Sequence, residues 1–159
     1  MNGMPRLIIV CGLPGSGKTT HARQLEADLG GVRFSADDWM TALAINLHDE
    51  SVRARIEALQ WTVCQQLLAK DLITIVEWGT WGRWERDILR TRAREFGATV
   101  ELHYLSVPED VLFNRIQKRG MEDPPIKRED VSAWWSIFEA PTEEEKALFD
   151  SVELHGGEA

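Results

Sequence analysis

A glycine-rich turn near the amino terminus constrains the fold of this chain most strongly. The segment GLPGSGKT, residues 12–19, fits the pattern G-x-x-x-x-G-K-[ST], with an apolar run before it and a helix-forming run after it. In this context the backbone N–H groups of the turn converge on phosphate oxygens, and the helix N-terminus adds partial positive charge. The segment therefore predicts a loop that binds the phosphates of a nucleoside triphosphate.

Two side chains of this loop have specific expected roles. Lys18 is expected to reach the β and γ phosphates, and the Thr19 hydroxyl is expected to ligate Mg²⁺. An ordinary turn between a strand and a helix is the alternative, which the agreement of all motif positions and both flanks disfavours. The expected cofactors are ATP and Mg²⁺, and the expected nucleotide-binding residues are Gly12, Leu13, Pro14, Gly15, Ser16, Gly17, Lys18, Thr19 and Thr20.

The rest of the chain alternates between predicted strands and predicted helices. Continuous apolar strands are typical of a parallel sheet that is covered by helices on both faces. We therefore expect an α/β fold, a three-layer P-loop NTPase domain with a mostly parallel five-stranded sheet and helices on both faces. At 159 residues, with no linker or repeat, one domain spanning 1–159 is expected. The predicted strands are 7–11, 32–35, 72–77, 98–107 and 151–154.

The longest predicted helix follows residue 49, and its register can be read from the apolar positions. Asp49 is the expected N-cap, and Trp61 is expected in the core. The residues expected on the buried face of this helix are Val52, Ile56, Leu59, Val63 and Leu67.

Composition and charge narrow the classes of partner. A net charge of −8 argues against a large nucleic-acid footprint, although a local basic groove stays possible. No apolar run approaches the roughly 18 residues of a membrane span, and no export signal is visible at the start, so the cytoplasm is the expected location. The acidic run near the end, EAPTEEEKALFD, is interpreted as a solvated helix face.

The cysteines and histidines show no spacing that predicts a metal site. Cys11 and Cys64 form no CxxC pair and are interpreted as reduced, buried thiols. The four histidines, for which packing is the simpler interpretation at this stage, are His21, His48, His103 and His155.

Three acidic residues follow predicted strands, where ligands of open α/β sheets bind. Glu77 ends the third strand, which is expected to neighbour the P-loop strand, and is the expected partner of Thr19 at the metal. Asp37 is the better candidate for a general base that accepts the proton of an acceptor hydroxyl. Asp38 is expected to cap the helix that starts there or to contact the acceptor, although capping is an alternative for either aspartate.

The segment VEWGTWGRWERD, residues 76–87, is expected to line the mouth of the site. Trp78 and Trp81 lie in a glycine-punctuated turn and are expected to stack on an acceptor, whereas Trp84 is expected in the core. Arg83 and Arg86 either reach an anionic group on the acceptor or pair with acidic residues of the same segment.

Two stretches resemble a known family. CGLPGSGKTT followed by SADDWM is similar to the P-loop kinase group of phage-type polynucleotide 5′-kinases, zeta toxins and chloramphenicol phosphotransferase. The whole chain is most similar to small bacterial AAA-family ATP-binding proteins, which share an acid-Trp/Phe-Gly-x-Trp stretch and a W..FE.PT..E tail and resemble kinases rather than ring-forming motor ATPases. In that group the first carboxylate after the second strand is the base, which corresponds to Asp37.

The resemblance also implies a short lid over the phosphates at about 115–129. The group carries an R-x-x-x-R arrangement after the fourth strand, and NRIQKRG supplies Arg115 and Arg119 at that place. Four-residue spacing puts both side chains on one helix face, where they either stabilise the transferring phosphoryl group or stack on adenine; a solvated basic face is the alternative. One position departs from the group, because Met40 replaces an arginine with which polynucleotide kinases hold a substrate phosphate.

These features favour an ATP- and Mg²⁺-dependent phosphotransferase acting on a hydroxyl of a small molecule such as an antibiotic, nucleoside or sugar-like compound. The alternative within enzymes is a polynucleotide 5′-hydroxyl kinase or a zeta-toxin-like nucleotide-sugar kinase. The alternative outside enzymes is a nucleotide-dependent binding or regulatory module with incidental ATP hydrolysis. Fold and motif identify ATP chemistry better than they identify the acceptor.

Overall fold

The computed structural model describes residues 3–156, which form a sheet covered by helices. The strand order is β2-β3-β1-β4-β5, and every neighbouring pair is parallel, so the predicted five-stranded parallel sheet is confirmed. The strands are β1 (Arg6–Cys11), β2 (Val32–Phe34), β3 (Ile73–Val76), β4 (Thr99–Ser106) and β5 (Ser151–Gly156).

Local capping explains where several helices begin and end. The Asp49 carboxylate accepts a hydrogen bond of 3.1 Å from the Val52 amide, which confirms the predicted N-cap. Gly30 ends the first helix in a left-handed conformation. The helices are α1 (Lys18–Leu29), α2 (Ala36–Ala42), α3 (Glu50–Leu68), α4 (Arg83–Glu95), α5 (Glu109–Arg119), α6 (Arg128–Ile137) and α7 (Glu143–Lys146).

Alternation along the central strand builds a core on each face of the sheet. Leu7 and Ile9 of β1 pack with α3 and α4 on one face, and Ile8 and Val10 pack with α1 on the other. All four are fully buried, as expected for a central strand covered on both sides. The predicted three-layer arrangement therefore follows from a strand that is apolar at every position from Leu7 to Cys11. Among the described residues, none of the helices combines the length and apolarity that a membrane crossing requires.

The register predicted for α3 is partly wrong. Leu59 is 54% exposed, and the buried row runs instead through Ile56, Gln60, Cys64 and Leu68. The reason is Gln60, whose side-chain amide donates to the Ser35 carbonyl and thereby turns a polar residue inward. Apolar periodicity alone cannot predict a buried amide of this kind.

Candidate active site

The strand order brings the expected site residues to one edge of the sheet. Val76 of β3 pairs with Ile9 of β1 on one side and with Phe34 of β2 on the other. The segments that follow these three strands therefore meet at their carboxyl ends, where ligands of such sheets bind. The predicted adjacency of the P-loop strand and the strand before Glu77 is confirmed.

The phosphate-binding loop has the backbone shape that its glycines permit. Gly15 and Gly17 have φ values of +85° and +94°, which residues with a side chain rarely adopt. α5 packs against Gly15, where a Cβ atom would lie 3.2 Å from the Leu112 carbonyl oxygen. Ser16 Oγ is buried and has no hydrogen-bond partner among residues 3–156, and Lys18 Nζ donates to the Leu13 carbonyl at 3.2 Å. The loop therefore contains the Lys18 ammonium group and the Ser16 hydroxyl group.

The two expected metal ligands lie in direct contact. Thr19 Oγ1 donates to Glu77 Oε1 at 2.8 Å, and Glu77 is only 8% exposed. A hydroxyl and a carboxylate beside a phosphate-binding loop are the hard oxygen donors that Mg²⁺ prefers. Thr19 and Glu77 therefore fit the ion that the sequence analysis expected.

Arg33 is a site residue that the sequence analysis missed. Its guanidinium donates to Glu77 Oε2 at 2.8 Å and also contacts the Asp38 carboxylate. The side chain is 10% exposed, so it balances much of the negative charge at this end of the sheet. One feature of the sequence could have identified Arg33, because a charged residue is unusual in the short strand that leads into Asp37 and Asp38.

The two aspartates after β2 differ in their contacts. Ser35 is the N-cap of α2 and accepts from the Asp38 amide at 3.2 Å, so the expectation that Asp38 caps this helix is wrong. The reason is that the helix begins at Ala36, three residues before the start that a cap at Asp38 would require. The Asp37 carboxylate is 60% exposed and accepts a hydrogen bond of 2.5 Å from Arg53, which the sequence analysis also missed.

Glu57 on α3 adds a protonatable group on the Asp37 side of the site. The pKa of Glu57 is raised to about 7, mainly by burial, while the positive charge of Arg53 opposes this shift and the negative charges of Glu85, Glu50 and Asp37 add to it. A carboxyl group with a pKa near neutrality beside a candidate base is a common feature of functional sites.

The two expected lid arginines lie on the last turns of α5. Arg115 Nη1 donates to the Gly15 carbonyl at 3.2 Å, so this side chain touches the phosphate-binding loop. Arg119 forms an ion pair with Glu122. Burial lowers the pKa of Lys18, and the positive charge of Arg119 lowers it further, which shows that Arg119 also lies within electrostatic reach of the loop.

The predicted division of the tryptophans is wrong in two places. Trp78 is 7% exposed, packs in the core and donates from Nε1 to the Gln60 side chain at 2.7 Å, so it presents no free face to an acceptor. Trp84, which was expected in the core, is 64% exposed, because it lies on the outer face of α4. Trp81 is half-buried and packs against Trp134 with ring centroids 6.4 Å apart.

The arginines of the same segment also separate into two roles. Arg83 is half-exposed and lies 3.5 Å from Asp87, as one of the two predicted alternatives has it. Arg86 is fully buried and binds both carboxylate oxygens of Glu145, at 2.7 and 2.9 Å. It also donates to the Thr80 and Glu139 carbonyls, both at 2.7 Å. Arg86 therefore joins the turn after β3 to the carboxyl-terminal segment, and neither predicted alternative for it holds.

A family model described as the AAA domain matches residues 7–141. The chain belongs to this family. Solved structures with the same fold as this AAA domain include a gluconokinase from Sinorhizobium meliloti 1021, at a TM-score of 0.64 and 20% identity over 99% of this chain and 85% of that one. A search of curated proteins found no significant match.

Two further structures extend the likeness. A sugar kinase from Janibacter sp. HTCC2649 has a TM-score of 0.66 and 23% identity over 96% of this chain and 85% of its own. Kti12 from Chaetomium thermophilum, solved in complex with ADP-AlF3, has a TM-score of 0.69 and 21% identity over 94% of this chain and 88% of its own. The predicted resemblance to P-loop kinases is therefore confirmed for family and fold, which imply nucleotide binding.

Proposed function

We propose that this AAA domain is an ATP- and Mg²⁺-dependent kinase that transfers the γ phosphate of ATP to a hydroxyl of a small molecule in the cytoplasm. The observation that carries the proposal is the contact of 2.8 Å between Thr19 and Glu77 at the foot of the phosphate-binding loop. Asp37 follows the neighbouring strand and is exposed toward solvent, where an acceptor has access to it.

Each residue then has one task. The loop amides and Lys18 hold the phosphates, and Thr19 and Glu77 hold Mg²⁺, which neutralises phosphate charge when bound. Asp37 accepts the proton of the acceptor hydroxyl while the oxygen of that hydroxyl forms a bond to the γ phosphorus. The bond between that phosphorus and the bridging oxygen breaks, and ADP leaves with the electron pair. Arg115 and Arg119, in a lid at about 115–129, stabilise the charge on the transferring group.

The groups around Asp37 suit an acceptor that is rich in hydroxyls. Arg53 donates to the Asp37 carboxylate, and the carboxyl groups of Glu57 and Glu85, which interact electrostatically with each other, can accept hydrogen bonds from hydroxyls. Met40, which replaces the phosphate-binding arginine of polynucleotide kinases, is fully buried. The gluconokinase and the sugar kinase among the structural neighbours make sugars and sugar acids the first compounds to test.

Three further residues complete the proposed acceptor pocket. Asp38 and Arg83 are charged and partly exposed, and Trp81 offers a half-buried aromatic surface at the turn after β3. We assign all three to contacts with the acceptor. Trp78 has no place in this pocket because its ring lies in the core.

A coupled assay of ADP release over a panel of sugars, nucleosides and antibiotics tests the proposal. Once an acceptor is found, Asp37→Asn is expected to lower kcat by about 10²–10⁴-fold, the usual contribution of a general base. The thermal stabilisation by ADP and Mg²⁺ should be unchanged in this variant. Asp49→Asn is the matched control, since asparagine also caps a helix and Asp49 lies at the start of α3.

Other outcomes separate the alternatives. Undiminished transfer by Asp37→Asn would remove the base assignment. Strong transfer from labelled ATP to single-stranded oligonucleotides would favour a polynucleotide kinase. Nucleotide binding without transfer to any compound of the panel would favour a regulatory module.

A further inference from the structure

Three histidines and a glutamate meet in a cluster at the β4–β5 side of the sheet, whereas the acidic residues of the site follow β2 and β3. His21 comes from α1, His103 from β4, and Glu153 and His155 from β5. His103 pairs with Glu153 in the parallel register of β4 and β5, and His155 follows two residues later on the same face. The spacing of the histidines in the sequence did not reveal this cluster, because the sheet joins residues that are distant in sequence.

The ligand atoms of this histidine cluster have the spacing of a metal coordination shell. His21 Nε2 and His103 Nδ1 lie 2.8 Å apart, and His103 Nδ1 lies 3.2 Å from Glu153 Oε2. His155 Nε2 lies 3.3 Å from the same carboxylate oxygen, and all four ligand atoms fall within 4.8 Å of one another. In a tetrahedral zinc site with bonds of about 2.0–2.1 Å, neighbouring ligand atoms are about 3.3 Å apart.

The burial of His103 and a neighbouring carboxylate also suit a metal ligand. His103 is 2% exposed, and its second nitrogen, Nε2, is buried without a hydrogen-bond partner among residues 3–156. Glu101 Oε1 lies 3.7 Å from this nitrogen, on the side where a carboxylate orients a metal-binding histidine.

We propose that His21, His103, Glu153 and His155 bind one divalent transition-metal ion of the Zn²⁺ class, which fastens α1 to the edge strand β5. Three nitrogen donors select such an ion over Mg²⁺ or Ca²⁺, which prefer oxygen. Four protein ligands leave no open position, as in structural zinc sites, so the ion stabilises the fold and takes no part in chemistry. The proposal is independent of the proposed kinase activity.

Metal titration of the full chain tests this assignment. After dialysis against a chelator, Zn²⁺ is added in competition with a chromogenic zinc indicator, in buffer that contains excess Mg²⁺. We expect one tight equivalent per chain and a rise in Tm of several degrees. Co²⁺ in the same site should give the intense visible bands of four-coordinate cobalt.

Two variants remove ligands that are partly exposed, so that the fold tolerates the change. The side chains of His155 and Glu153 are 39% and 54% exposed. His155→Gln and Glu153→Gln should each weaken Zn²⁺ binding by at least 10–100-fold, since even residues outside the first coordination shell commonly have effects of that size. His48→Gln, which changes an exposed histidine outside the cluster, should bind Zn²⁺ as the natural chain does.

Three results would overturn the proposal. The first is the absence of saturable binding at one equivalent, which would leave the cluster as a hydrogen-bonded histidine network. The second is unchanged affinity in both His155→Gln and Glu153→Gln. The third is loss of binding in Thr19→Ala, which would place the ion at the phosphate site instead.

Discussion

The ion pair between Arg86 and Glu145 is expected to dominate the stability of the segment that carries Trp81. Both side chains are within 1% of complete burial, and Arg86 also supplies donors to the Thr80 and Glu139 carbonyls. Arg86→Met keeps an apolar stem of similar length but removes the Arg86 donors from a buried carboxylate and from two carbonyls, of which the Thr80 carbonyl keeps the weak Cys11 thiol donor. Removing one partner of a buried pair costs about 3–5 kcal/mol.

That cost is a large part of the stability of a protein of this size. Single domains unfold with about 5–15 kcal/mol, and in this size range 1 kcal/mol corresponds to about 2–4 °C in Tm. We therefore expect Arg86→Met to lower Tm by about 6–20 °C and the free energy of unfolding by about 3–5 kcal/mol. Urea titration followed by circular dichroism, together with calorimetry, measures both quantities.

Two further variants make the argument specific to burial. The double variant Arg86→Met/Glu145→Leu should recover most of the loss, because a buried ion pair can be replaced by apolar residues at little net cost. Arg92→Met removes an exposed pair with Glu95 on the same helix and should cost no more than about 1 kcal/mol. A loss under 1 kcal/mol in Arg86→Met, or a double variant no more stable than the single one, would refute the reasoning.

Two other changes test the pH dependence and the corrected register of α3. The pKa of Glu57 is raised from 4.5 to about 7, so its contribution to stability is present below about pH 4.5 and is lost as the pH rises through 7. Glu57→Gln should therefore be more stable than the natural chain at pH 8, by about 1 kcal/mol after solvent screening and by at most about 3 kcal/mol. The two proteins should be equally stable at pH 4. Urea unfolding at both pH values checks this, and equal stability at pH 8 would contradict it. Leu59→Gln should change the free energy of unfolding by less than about 0.5 kcal/mol, whereas Leu68→Ala, at a fully buried position, should lower it by about 2–5 kcal/mol. If urea titration gave similar losses for both variants, the register predicted from periodicity would be restored.

The sequence was sufficient for the sheet because local signals agree with one another. The motif at 12–19 places a strand before it and a helix after it, and a strand that is apolar at every position must be covered on both sides. The N-cap at Asp49 is equally local, since its partner is the amide three residues later. Features determined within a few residues of the chain can be predicted from the chain alone.

Residues whose role depends on distant partners could not be predicted in this way. Arg33 could not be assigned from the sequence because its partner Glu77 follows the neighbouring strand β3, and the pKa of Glu57 is raised mainly by burial, which exists only in the folded chain. Trp78 was assigned to the pocket by its position after β3, but the buried amide of Gln60 holds it in the core. Each case depends on a contact that only the folded sheet creates.

The carboxyl-terminal segment shows what such contacts do for the site. Its acidic residues were interpreted as a solvated face, yet Glu145 is fully buried against Arg86, and the Asp150 carboxylate accepts from Arg94 at 2.6 Å. β5 is an edge strand with mostly exposed side chains, so apolar burial contributes little to holding it in place. The histidine cluster would add a third polar attachment, from β5 to His21, three residues after Lys18 on the helix that begins at the phosphate-binding loop. Because the same helix carries Lys18 and His21, a bound Zn²⁺ ion would restrain the first turn of this helix through His21.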